Sequence, residues 1–227
     1  AIYEFMSKKR PFLIGVLLGA AYLSRLQTIL SLPFFIYPLI KKKDREELSK
    51  LILGVLPFFL FNSLYNYLRF SVPWDKGYIL IPGLLNEPWY TQGLFNPTYI
   101  PRHLKVIFTS LPKFSNQFPF IYPSWEGLAI WITTPAFIFS LFSPFKDIIT
   151  KLSWLVIILI SLVIFMHGTT GFAQFGYRFA VDFYPFLFLL TIKGVIKTKL
   201  KSIHWILLFI GILVNCWGVI WINKFNW

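Results

Sequence analysis

Gln174, Arg178 and Asp182 follow one another at four-residue intervals within Gly171–Pro185, at the mouth of a run, Phe179–Ile192, that is otherwise suited to lipid. A charge at mid-bilayer costs roughly 2.5–3.5 kcal/mol, so Arg178 needs a partner or a task. One reading is an i,i+4 ion pair with Asp182 on the outer end of a helix, the guanidinium reaching for the interface. The other is an anion site. A guanidinium presents a planar fork of donors that matches phosphate oxygens, and at the outer leaflet the membrane anion is a lipid-linked phosphate. The two readings are compatible if Asp182 orients the guanidinium and leaves donors free.

Other candidates carry plainer explanations beside the functional ones. Arg25 sits in the middle of a long apolar stretch and reads best as a structural arginine bonded to backbone carbonyls. Asn62, Asn66 and Arg69 share one helical face, placed either for helix-packing hydrogen bonds or to line a polar cavity. His103, His167 and His204 are far apart, and no His/Cys cluster with metal-ligand spacing occurs. No phosphate-cradling glycine loop is present, so nucleotide chemistry has no support. The outer side offers four carboxylates, Asp75, Glu87, Glu126 and Asp182, none in a motif that marks a general base.

Composition sets the class. Of 227 residues, 56% are hydrophobic, 20% aromatic and 14% charged. A soluble domain is about 25% charged, so the chain reads as an all-α integral membrane protein. The net charge of +13 then reflects cytoplasmic loops and anionic headgroups rather than nucleic acid. Cys216 is the only cysteine, which excludes an intramolecular disulfide. The first residue is Ala, no signal peptide is visible, and the opening reads as an inter-helix loop of a longer protein.

A spanning helix needs about 20 apolar residues. Five runs come close: Leu51–Leu68, Gly127–Ser143, Ser153–His167, Phe175–Ile192 and Ile203–Ile222, the third of them short. Residues 12–40 are too long for one span and too short for two, and basic clusters flank both ends. They are expected to form a re-entrant helical hairpin with its tip at Ser24–Gln27. The expected whole is a single membrane domain, 1–227, with about five spans, the hairpin, and an external loop, 69–126. This threading assigns fourteen of the 22 Lys and Arg residues to the cytoplasmic side and seven to the outside, with Arg25 in the membrane. It leaves the C-terminus outside a multi-pass cytoplasmic-membrane protein.

The external loop is too aromatic for a disordered linker, and its prolines divide it into short pieces. Pro101–Leu111 is expected to be an interfacial helix with proline in its first turn and Leu104, Ile107, Phe108 and Leu111 on one face.

These residues resemble a known family. Gln174-Phe-Gly-Tyr-Arg178-Phe-Ala-Val-Asp182-Phe-Tyr-Pro185 is similar to a late segment of bacterial GT-C class membrane glycosyltransferases, the lipid-phosphate-sugar-dependent enzymes related to protein O-mannosyltransferases and aminoarabinose transferases. Tyr65-Asn-Tyr-Leu-Arg69-Phe with Gly77-Tyr78 resembles another of their stretches. Leu17-Leu-Gly-Ala-Ala-Tyr-Leu-Ser-Arg25 resembles their half-helix hairpin, and Pro123-Ser-Trp-Glu126-Gly with Thr134-Pro135 the point where their loop re-enters the membrane. The matches fall in order over most of the chain.

The resemblance implies inverting transfer of a sugar from a polyprenyl-phosphate carrier to a glycan, lipid or protein acceptor outside the membrane. It places the catalytic carboxylate in an earlier loop that this chain lacks. It implies that Arg178, with Gln174 and Tyr177, contacts the carrier phosphate, that Asp182 orients, and that Arg69, Lys76, Tyr78, Arg102 and His103 are loop candidates for donor or acceptor contact. No cofactor is evident, and a divalent metal has no support in these residues. A flippase of lipid-linked saccharide, which should show repeated or broken helices, and a non-catalytic membrane subunit are the alternatives.

Overall fold

The computed structural model describes residues 1–225, with the side chain of residue 225 left aside. The chain is mostly helical. Three helices are long and apolar enough to cross a membrane: Arg45–Phe70, Ile148–Phe165 and the last, from Ser202. They fall on the expected runs 51–68, 153–167 and 203–222. In the first and last, 17% of the apolar window is buried, so most of each surface suits lipid or another apolar cover. Where one domain is expected, the chain divides into two compact units, 1–91 with 158–160, and 92–157 with 161–227.

The first unit holds α1 (Ile2–Met6), α2 (Pro11–Ser24), α3 (Leu32–Lys42) and α4 (Arg45–Phe70). α2 and α4 are the main packed pair. Their backbones meet at Gly15 and Gly54. A Cβ on Gly54 would overlap the Phe12 carbonyl oxygen and stand 3.0 Å from the Gly15 Cα. Small residues that let backbones approach are the usual means of helix packing where lipid supplies no hydrophobic drive. Further along the pair, Asn62 donates to the Tyr22 hydroxyl at 2.8 Å.

Over 12–40 the chain does break near Arg25. α2 ends at Ser24, Arg25 is extended, and a 3-10 turn over Leu26–Ser31 leads into α3. At about 1.5 Å per residue α2 and α3 are roughly 21 and 16 Å long, short of the about 30 Å hydrocarbon core. Both arms pack against α4. Asp44 caps α4 by accepting from the Glu47 N–H at 3.0 Å, with Glu46 and Glu47 in the first turn, where acidic residues suit the helix dipole.

In the second unit two expected spans are not continuous helices. Residues 127–143 break at Thr134: α6 covers only Ile130–Thr133, and Pro135–Phe142 is a 3-10 segment. Pro135 has no N–H to continue the ladder and disfavours helical backbone at Thr134. Asn215 of the last helix donates to the Thr133 carbonyl across that break at 2.8 Å. Residues 175–192 begin as loop and a 3-10 turn, Arg178–Asp182. The helix proper, α8, runs Tyr184–Thr198 with Pro185 in its first turn.

α8 packs on the 135–142 segment, where Phe137 meets Tyr184 and Phe188 with ring centroids 5.0 Å apart in each case. α7 (Ile148–Phe165) is capped by Asp147, whose carboxylate also pairs with Lys193 of α8. α9 is Ser202–Phe225. The loop ahead of them contains α5 (Ile100–Thr109) and a two-stranded hairpin, β1 (Lys113–Phe114) and β2 (Ile121–Tyr122), with Lys113 opposite Tyr122.

Candidate functional site

The segment 166–183 is irregular, so its backbone polar groups need partners outside the chain's regular helices. They find them in two places. Asn96 N–H donates to the Met166 carbonyl at 2.7 Å and Gly168 N–H to the Leu94 carbonyl at 2.9 Å. Leu128 N–H donates to the Phe175 carbonyl at 2.8 Å, and the Leu128 carbonyl accepts from Tyr177 N–H at 3.3 Å. The loop pieces 94–96 and 126–129 are thereby stitched to 166–168 and 174–178.

Gln174 is the clamp of this assembly. It is buried, and its amide nitrogen donates to the carbonyls of Glu126 at 2.6 Å and Thr170 at 2.8 Å. Its amide oxygen accepts from Arg178 N–H at 3.3 Å. Both side-chain donors are spent on backbone. Gly171 makes room for it: at φ +105° it has the left-handed conformation glycine tolerates, and a Cβ there would stand 2.5 Å from the Gln174 Oε1.

Tyr177 is also buried, at 1% exposure, and its hydroxyl lies 2.6 Å from His103 Nδ1. His103 Nε2 lies 2.8 Å from the His167 carbonyl. A carbonyl only accepts, so Nε2 carries the proton, Nδ1 is the acceptor and the Tyr177 hydroxyl donates. This relay ties α5 to the 166–178 loop through the interior. Burial is the main cause that pushes the His103 pKa down from 6.5 to about 4, and the Arg102 charge adds to it. His103 is therefore neutral and bonded on both nitrogens, which leaves it nothing to offer a ligand.

Arg178 is different. It is exposed, its guanidinium carbon lies 5.6 Å from the Phe179 ring centroid, and among the described residues it forms no ion pair. The i,i+4 pairing with Asp182 required a helix through both residues. Arg178 and Asp182 are instead the first and last residues of a 3-10 turn, no ion pair joins them among the described residues, and Asp182 is buried. Gln174, Tyr177 and Arg178 are thus one local construction, with two side chains holding the backbone and the third projecting from it.

The loop candidates fall in both units. Arg102 and His103 lie on α5, with the Arg102 guanidinium 5.2 Å from the Tyr99 ring centroid. Arg69, Lys76 and Tyr78 belong to the first unit. Arg69 is exposed at the end of α4, over the Phe70 ring at 4.8 Å and beside the Tyr65 hydroxyl. Tyr78 is exposed, and Lys76 is half-buried. Of the Asn62–Asn66–Arg69 row, Asn62 serves helix packing, and Asn66 is buried with its amide nitrogen unpartnered.

α5 divides the apolar face expected of it. His103, Val106 and Ile107 are buried, while Leu104, Phe108 and the following Leu111 form an exposed stripe. Among the described residues no group of His, Cys, Asp and Glu is arranged to hold a metal.

Comparison of the chain with protein-family models, with curated proteins and with solved structures finds no match.

Proposed function

We propose that this chain is the C-terminal part of a GT-C class glycosyltransferase that moves a sugar from a polyprenyl-phosphate donor to a lipid, glycan or protein acceptor on the outer face of the cytoplasmic membrane. The observation that carries the reading is the exposed guanidinium of Arg178, without an ion pair among the described residues, on a backbone clamped by buried Gln174 and Tyr177. A cation held in place before substrate arrives stabilises charge that develops at a leaving group without reorganising. In this reaction the acceptor hydroxyl attacks the anomeric carbon, the bond from that carbon to the phosphate oxygen breaks, and negative charge gathers on the carrier phosphate that Arg178 faces. The base that takes the acceptor's proton is assigned to a carboxylate outside this chain.

The contacts within the second unit favour the proposed topology. The Asp147–Lys193 pair joins the two segments assigned to the cytoplasm. The ladders from 94–96 and 126–129 join the two assigned to the outside. The re-entrant course of α2 and α3 is part of the same proposal and accounts for two arms each shorter than the bilayer. Single cysteines introduced on a Cys216→Ser background test it. Ser115→Cys should react with an impermeant thiol reagent in intact cells, and Lys199→Cys only after lysis. The reverse pattern would invert the topology.

The activity test is Arg178→Ala in the full-length enzyme. Transfer should fall about 10²- to 10³-fold, with membrane insertion and thermal stability unchanged, and Arg178→Lys should recover part of it. Undiminished transfer by Arg178→Ala removes the residue from the donor site.

A further inference from the structure

The Gln174 clamp carries more than Arg178. Its amide nitrogen is bonded to the carbonyls of Glu126 and Thr170, and its amide oxygen to the N–H of Arg178. The side chains at and beside these three bonds include four that are exposed: Trp125, Glu126, Phe172 and Arg178. The Trp125 and Phe172 rings meet edge to face, with centroids 5.3 Å apart. The buried Thr170 hydroxyl approaches the Glu126 carboxylate in a long hydrogen bond of 3.4 Å. One buried amide therefore gathers a carboxylate, a guanidinium and an aromatic pair from two stretches of chain, 125–126 and 170–178.

Opposite charges carried this close together attract. Yet Glu126 and Arg178 form no ion pair with each other or with any other described residue. The parallel bridge between Leu128 and Gly176 accounts for this. It sets Glu126 level with Gln174, two residues before the bridge, and puts Arg178 two residues beyond it. Four residues of chain span at most about 14 Å, which parts the charges but leaves both within reach of one ligand. That ligand needs an anionic end for the guanidinium and donors for the carboxylate, which only accepts. A sugar phosphate has both. Its phosphate oxygens suit the guanidinium fork, its hydroxyls donate, and the C–H face of its ring packs on aromatic surface. A bare phosphate would instead meet like charge at Glu126.

We propose that Glu126 binds the sugar of the polyprenyl-phosphate donor, accepting from its hydroxyls while Arg178 holds the phosphate and the Trp125–Phe172 pair lies against the ring. The inference rests on the donor-site reading of Arg178 and adds the residue that tells a sugar-bearing carrier from a bare one. Thr170 is a positioning residue, since its buried hydroxyl restrains the carboxylate. Once the sugar has left, Glu126 and the carrier phosphate carry like charge with no hydroxyl between them, which favours release of the spent carrier.

Binding of undecaprenyl phosphate, bare or carrying glucose, mannose or galactose, to the full-length enzyme in detergent tests it. Wild type should bind at least one sugar-bearing carrier more tightly than the bare one. Glu126→Ala should reduce that preference about tenfold, the size expected of a hydrogen bond to a charged group, and should not weaken the bare carrier. Glu126→Gln, which keeps one acceptor oxygen, should reduce it less. Arg178→Ala should weaken all four carriers, because it removes the phosphate contact they share. No preference in wild type overturns the proposal. So does an undiminished preference in Glu126→Ala while Arg178→Ala weakens every carrier, a result that leaves the donor site standing. Equal weakening of all four carriers by Glu126→Ala also overturns it, since that is the mark of a structural role. If Arg178→Ala bound every carrier as wild type does, the donor-site reading itself would fall, and this inference with it.

Discussion

In the α2–α4 pair, two backbones meet at Gly15 and Gly54, and one side-chain hydrogen bond, Asn62 to Tyr22, crosses between the helices. In the assembly of 94–109, 126–129 and 166–178, the backbones meet through ladder bonds, and the buried polar side chains Gln174, Tyr177 and His103 supply further links. The first arrangement needs only helical periodicity and two small residues. The second needs particular donors to find particular acceptors from distant parts of the chain. The two regions should therefore respond to different perturbations: the helix pair to added volume, and the loop assembly to lost hydrogen bonds or added charge.

The largest effect is expected where volume is added. Gly54→Leu places side-chain atoms against the Phe12 carbonyl and the Gly15 backbone, and neither can move without displacing a helix. Overpacking of this kind costs about 3 kcal/mol. Thermal unfolding in detergent should show a large drop, and Gly54→Ala a smaller one in the same direction. A tolerated leucine would mean that the helices separate easily, which would remove the contrast.

Acid should act on the loop assembly. His103 has its pKa lowered from 6.5 to about 4 by burial. Between those values the unfolded chain takes up a proton that the folded chain refuses. The stability His103 confers is therefore complete above about pH 6.5 and is lost as pH falls toward 4. The shift is worth up to about 3 kcal/mol. Hydrogen exchange of residues 100–109 and 166–178 should accelerate over that range, while α2 and α4 stay protected. His103→Gln should flatten the dependence, and equal acceleration in both regions would contradict it.

Gln174→Leu keeps volume but removes two donors and one acceptor. The carbonyls of Glu126 and Thr170 lose their side-chain partner, at about 2 kcal/mol, and limited proteolysis should begin within 171–178. Arg178→Ala, four residues on and exposed, should leave protection unchanged. This pair of variants separates the residue that shapes the loop from the one that projects from it.

The difference in how the two regions are built also explains what could be read from the sequence. The runs 51–68, 153–167 and 203–222 are apolar without a break, and each lies in a long helix. The break at Arg25 was visible as a charge amid apolar residues. The runs 127–143 and 175–192 look alike by hydropathy, yet Pro135 and Pro185 carried the information that one breaks and the other starts late. Gln174, Tyr177 and Arg178 were visible as polar residues at a membrane mouth. Their division into two supports and one projecting cation was not, because it depends on Glu126 and His103, 48 and 74 positions away. On α5 periodicity finds the apolar positions but not which of them are covered: Ile107 is buried, and Leu104, Phe108 and Leu111 are exposed.

The smallest effect should come from Tyr22→Phe, which deletes the acceptor of the Asn62 hydrogen bond and leaves the ring stacked on Phe59, centroids 5.9 Å apart. Hydrogen bonds between membrane helices average about 0.6 kcal/mol, because in the unfolded reference the same group finds another partner. Asn62 is half-buried and has that option. Gln174 does not, since the carbonyls it serves are fixed inside a folded loop. If Tyr22→Phe cost as much as Gln174→Leu, the helix pair would depend on specific polar links after all, and its independence of particular partners would be wrong. If it costs a small fraction, specificity in this chain is concentrated in the segment that carries Arg178.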